Sequence, residues 1–370
     1  MTKTNQTQSA GDNSTQIQAG TIQNYYTTIT GIDEARARSI CKEEYAIAMQ
    51  NWTSEAIAIA NDRVQQLEDK VLPKLIQHDN SLKCFADPSF QITLRKAQIS
   101  AASSDRVADY ELLSELLLHR VEQDADRERR LGITKAIEIV DQVDDSALVG
   151  LSVVYALSKF SPVSVVLNEG LNVLNRLYAK IISDMSLPEG ITWMEHLDLV
   201  SAIRLGSRGL NTFKKCEEYF PERLSQYFVS GLPKDSDEYR DLEASFKSVS
   251  LGTNCLVPHP LRLDHMILSI KPDIDSIVIT RVVPGDVLQV PLNPAQKEVM
   301  SKAIDLMARI DLNNQEMKSA FWVEWEKYPV LSRIRKWWNN LPVHFEISPV
   351  GVALSNAYIH SKDPYIPCLY

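Results

Sequence analysis

Three short stretches come nearest to chemistry by residue type and spacing. Ser332-Arg333-Ile334-Arg335-Lys336-Trp337-Trp338 sets three cations beside two indoles. On a helix in a major groove, Arg333, Arg335 and Lys336 would meet guanine edges and phosphates. The competing use of that helix is packing, with both indoles buried. Residues 328–370 hold four basic and two acidic side chains, a balance of only +2, which is thin for a nucleic-acid footprint. His259 and His265 lie close to Asp264, the nearest approach to a metal or acid–base cluster, but no third spaced ligand follows. The run Asp124-Ala125-Asp126-Arg127-Glu128-Arg129-Arg130 mixes signs at helical spacing and reads as a solvated face with i,i+4 pairs. The chain has no GxxxxGK[ST] loop, no GxGxxG after a strand, no HExxH and no GxSxG elbow. No catalytic residue, cofactor or metal ligand is therefore assigned, and a non-enzyme is expected.

The first 31 residues suggest another kind of function. They carry two formal charges, Lys3 and Asp12, and eighteen Asn, Gln, Ser or Thr. From Gly11 to Tyr26 the segment combines β-branched residues and stackable amides with no Pro. Such a stretch builds no core alone, but copies from several chains can pair backbones and stack amides into ladders. The residues assigned to assembly are Ile17, Gln18, Gly20, Ile22 and Asn24. The isoleucines would pack, Gln18 would ladder and Gly20 would permit a tight bend. The same composition also suits a disordered polar tail, or a strand added to another protein's sheet edge.

Elements must position these residues. Apolar side chains from Tyr45 to Val71 recur in steps mostly of three or four without Gly or Pro, which predicts a long amphipathic helix over 32–80. The polar trio Asn51, Thr53 and Ser54 is the place where it would split. Asp87-Pro88 reads as a helix start, and a helical body follows over 81–230. Its core would include Leu112, Leu113, Leu116, Leu117, Ile133, Ile137 and Val140. Six prolines interrupt 231–292, which reads as irregular chain with strands, Ile277–Val283 being the most β-branched. Residues 293–370 return to helices, with a short strand at His344–Ile347 and a capped helix from Ser348. The expected fold is mainly α, with a β-prone N-terminus and a C-terminal α+β module of winged-helix type.

Composition bounds the rest. The net charge of −9 argues against general affinity for DNA, RNA or acidic membranes. Ala147–Leu157, the most apolar helix-like run, is far short of the roughly 20 residues that span a bilayer. Five scattered cysteines without a CxxC pair, and an N-terminus lacking a signal's apolar core, point to the reducing cytoplasm.

Four resemblances add to this reading. Gly11-Asp12-Asn13-Ser14-Thr15-Gln16-Ile17-Gln18-Ala19-Gly20 resembles the GDNSTxIQAG segment of many bacterial proteins, where an amphipathic helix follows it. Its core, Ile17-Gln18-Ala19-Gly20, is similar to the RIP homotypic interaction motif, whose bacterial relatives signal by amyloid-like templating. Residues 32–230, through Ser114–Arg120 and Ala136–Asp141, look like a conserved bacterial helical family without assigned activity. The string Phe345-Glu346-Ile347-Ser348-Pro349-Val350-Gly351 resembles the ending of bacterial winged-helix proteins. These likenesses imply a bacterial signalling or phage-defence protein that associates with itself or with a partner bearing a similar segment. The alternative they leave open is a DNA-binding regulator.

Overall fold

The computed structural model describes residues 32–49, 52–78, 82–123, 126–206, 213–269, 273–283 and 286–366. The fold is mainly helical. Where one helix over 32–80 is expected there are two, α1 (Glu34–Ala48) and α2 (Ser54–His78). The break has a local cause: Thr53 turns its hydroxyl to the Ala56 amide at 3.3 Å, a side-chain bond that competes with helix continuation. Tyr45 and Trp52 meet edge-on across it, ring centroids 6.5 Å apart.

Asp87 accepts amide hydrogen bonds from Ser89 and Phe90, and Pro88 fills the first turn of α3 (Pro88–Ser103). Then come α4 (Val107–Glu122), α5 (Arg127–Ile139), α6 (Asp145–Lys159), α7 (Leu167–Ile182), α8 (Thr192–Leu199), strand β1 (Ile203–Leu205) and α9 (Cys216–Arg223). Two helices are covered on nearly every side. In α6 every residue from Ala147 to Leu157 is buried, and α4 buries polar side chains together with its leucines. A helix in that position must find partners for whatever charge it carries inside.

The chain then leaves the helical body and returns to it. Val229 and Ile310 form an antiparallel bridge at the neck, flanked by Ser230 N to Arg309 O and Asp311 N to Phe228 O, both 2.7 Å. Between them lies an inserted lobe: β2 (Leu232–Pro233), α10 (Asp237–Ser248), β3 (Leu256–His259), β4 (Arg262–Leu268), β5 (Val278–Val283), β6 (Asp286–Pro291) and α11 (Pro294–Met307). The strands form an antiparallel sheet ordered β2-β4-β3 and a separate β5-β6 hairpin pairing Val278 with Pro291 and Val283 with Asp286. Leu242, Phe246, Leu256, Leu268, Met300, Ala303 and Met307 make the lobe's own core.

The remaining elements are α12 (Gln315–Glu326), α13 (Pro329–Asn339), β7 (Phe345–Ile347) and α14 (Pro349–Lys362). They do not gather with α11 into the expected winged-helix unit. The inner face of α11, Met300, Ala303 and Met307, is buried in the inserted lobe, whereas α12 to α14 pack into the main core. β7 pairs with β1, Ile203 opposite Ile347 and Leu205 opposite Phe345, rather than in a wing hairpin. Glycine allows the approach that seats α14: a Cβ on Gly351 would lie 2.1 Å from the Ala202 carbonyl oxygen. Among the described residues no helix is long and apolar enough to cross a membrane.

Candidate functional site

An ionic cluster runs from the main core to the surface along α4, where both α2 and α14 pack on it. Each helix supplies its groups by spacing. Lys70, Lys74 and His78 recur every fourth residue on α2, as do Glu111, Glu115 and His119 on α4, so each trio shares a face. His360 comes from the last turn of α14. Ser348 starts that helix, its hydroxyl donating to the carbonyls of Ser201 (2.6 Å) and Ala202 (2.9 Å) and accepting from the Gly351 amide.

Lys74 Nζ uses all three of its donors. It bonds Glu111, the Ser114 hydroxyl at 2.8 Å and Glu115 Oε1 at 2.5 Å. Lys70 holds the other Glu111 oxygen at 2.8 Å. The second oxygen of Glu115, Oε2, lies 2.6 Å from His360 Nδ1. The His119 ring sits beside that of His360, centroids 5.6 Å apart. At the rim, His78 Nδ1 is 3.8 Å from Glu122. Glu115 and His119 are buried, and His360 is half-buried.

These surroundings set the charge states. Burial pushes the Glu115 carboxyl up, but hydrogen bonds from His360 and Lys74, with the lysine charge, outweigh it and hold it below its ordinary value. The hydrogen bond to Glu115 raises His360 against the opposing effect of burial. Burial lowers His119 to about 4, so it is a neutral imidazole at physiological pH. The cluster therefore joins one carboxylate, a histidine held toward its cationic form and a neutral histidine. It can hold a proton between Glu115 and His360, or present an O,N,N donor set to a cation. Among the described residues these three form the one group of His, Cys, Asp or Glu whose ligand atoms converge, all within 4.8 Å of one another.

The residues singled out from sequence are placed as follows. Ile17, Gln18, Gly20, Ile22 and Asn24 lie outside the described residues. Arg335 is turned inward: Nη2 is 2.7 Å from Glu217, Nη1 is 2.7 Å from Glu326, and the guanidinium lies 4.1 Å over the Trp322 ring. Arg333 is exposed and donates to the Met185 carbonyl at 3.0 Å, and Lys336 is exposed beside it. Trp337 and Trp338 are buried, their indole N–H groups bonded to the carbonyls of Pro188 and Lys214.

His259 and His265 serve the lobe's structure. His259 Nδ1 accepts from the amides of Leu261 and Arg262, so Nε2 carries the proton donated to the Val229 carbonyl at 2.8 Å. Both ring nitrogens are thereby occupied at the neck. His265 Nδ1 is 2.9 Å from Asp264, whose side chain is open to solvent. Among the described residues Cys41, Cys84, Cys216 and Cys255 are not joined to one another by disulfides.

A family model described as ":-like" matches residues 31–364. The chain belongs to that family. The match begins as the polar segment ends and runs through the body, the inserted lobe and α14. No curated protein matches, and no solved structure matches.

The cluster was half legible in the sequence. Glu115-x-x-x-His119 is an i,i+4 pair on a strongly helical run, the spacing at which two side chains share a ligand. His360 stands 245 residues after Glu115, and nothing local in the sequence joins them.

Proposed function

We propose that this chain is a non-enzymatic bacterial interaction protein of a signalling or defence pathway. It self-associates, or recruits a partner with a similar segment, through strand pairing of residues 1–31, and the helical body is the base that holds the segment. The observation carrying this reading is the junction between the two parts. An almost uncharged, amide-rich segment gives way to α1, which Asp33 caps by accepting from the Arg36 amide at 2.7 Å. Ala37, Ile40 and Cys41 then seat α1 in the main core. A weakly pairing segment fixed to a large folded body gains from every further contact between bodies, because tethering raises its local concentration.

The test is Ile17→Asp combined with Ile22→Asp in the full chain, with mass measured by size-exclusion light scattering. The expected result is loss of oligomers with an unchanged helical circular dichroism spectrum. Equal masses for the parent and the double variant would overturn the reading.

A further inference from the structure

We propose that Glu115, His119 and His360 form a binding site for a divalent transition-metal ion of the zinc class, seated between α4 and α14. The donors are already gathered, with all three ligand atoms within 4.8 Å of one another. Zinc with ligands at roughly 2.0–2.2 Å needs donors about 3.3–3.6 Å apart in a tetrahedron. Glu115 Oε2 and His360 Nδ1, at 2.6 Å, open slightly to admit the ion, and the His119 ring closes the remaining gap. Glu115 and His119 hold a fixed i,i+4 relation on one rigid helix, so the ion's main demand falls on side-chain rotation and not on the backbone.

The donor chemistry selects the ion. Two imidazoles and one carboxylate suit zinc and its neighbours, whereas magnesium and calcium prefer all-oxygen sites. Lys74 supplies the outer support: its bond to Glu115 Oε1 holds the carboxylate with Oε2 toward the histidines. Its positive charge opposes the ion, while Glu111, bonded to it, offsets that charge, and Glu122 adds a further carboxylate near His360. Lys70 is tied to Glu111, and His78 stands at the rim against Glu122. Half-buried His360 marks the side from which the ion enters. Water takes the fourth position. A bound ion ties α14, at the far end of the chain, to the centre of the body.

The experiment uses the full chain, stripped with chelator and titrated with zinc chloride by calorimetry. X-ray absorption at the zinc edge then reads the ligands in the loaded parent protein. The expected result is one equivalent bound, with a shell of nitrogen and oxygen that includes two imidazoles. His119→Gln and His360→Gln should each weaken binding about 100-fold or more, at least the cost of losing an outer partner. No binding, binding undiminished in both variants, or sulfur in the metal shell would each overturn the proposal. The absorption measurement needs no variant, so it decides the matter even if a substitution impairs folding.

Discussion

The helical body and the inserted lobe treat polar groups inside a protein in opposite ways. The body buries carboxylates and answers them with side chains. Asp109 pairs with Arg106 and the Ser104 hydroxyl, Glu68 takes a hydrogen bond from Gln98, and Glu115 joins Lys74 and His360. In the lobe, buried His259 and Gln296 bond mainly to backbone: Gln296 completes a capping box with Asn293 and donates to the Val249 carbonyl. The lobe's Lys–carboxylate and Arg–carboxylate pairs lie at its surface. Backbone-directed bonds can be assembled within a small insertion. Long-range ion pairs need helices brought from far apart, so they require a large core to hold both ends. The body should therefore carry the chain's cooperative stability and its response to pH, leaving the lobe as a locally stable unit.

The strongest test of that division truncates one aromatic in each core. Trp325 is fully buried, with its indole N–H on the Leu331 carbonyl and Phe220 at 4.6 Å. Phe246 is fully buried in the lobe. Trp325→Ala and Phe246→Ala should each cost about 3–5 kcal/mol where they act. Trp325→Ala should lower the main denaturant transition. Phe246→Ala should raise amide exchange across 232–308 and leave α2 and α4 protected. Equal loss of protection in α2 and α4 would mean that the neck transmits unfolding and that the two regions form one unit.

The next effect is in pH, and it resides in the body. In metal-free protein His119 stays neutral when folded down to about pH 4, whereas in the unfolded chain it protonates near its ordinary value of 6.5. Its contribution is complete above about pH 6.5 and is lost as pH falls toward 4, a swing of about 3 kcal/mol. His360 has the opposite sign. Its raised value stabilises below the unfolded pKa, and that contribution is lost as pH rises through the folded value. Urea midpoints measured between pH 4 and 7 should fall more steeply with acid for the parent than for His119→Gln. Parallel curves would show that burial of this ring does not govern the acid limb.

What could be read from sequence follows the same divide between local and distant. Leu112, Leu113, Leu116, Leu117, Ile133, Ile137 and Val140, placed in the core from helical period alone, are all buried. The caps at Asp87, Asn293 and Ser348 are local signals and stand at helix starts. The winged-helix arrangement read along 293–370 joined elements that are neighbours in sequence, but α11 finds its apolar partners in the preceding insertion and β7 finds its strand partner at 203–205. His360 carries no signal in the sequence for the same reason, since its significance arises only when α14 docks on α4. Periodicity shows which face of a helix is buried, without showing what it is buried against.

The smallest effect separates the partly buried ion pairs of the body from the exposed ones of the lobe. Arg335 reaches Glu217 and Glu326 together and covers Trp322, a task for a planar fork that an ammonium cannot copy. Arg335→Lys should cost about 1 kcal/mol, a modest figure because both carboxylates are well over a third exposed and solvent screens them. Arg240, paired with Asp237 on the lobe's surface, should leave every transition unmoved when replaced by Ala. The same Arg335→Lys protein bears on the basic helix. If α13 met DNA through Arg335, its two carboxylate partners would first have to be given up, so duplex binding should depend on Arg333 and Lys336 alone. Should Arg335→Lys shift stability no more than Arg240→Ala, the contrast between the two regions would reduce to the buried cluster around Glu115.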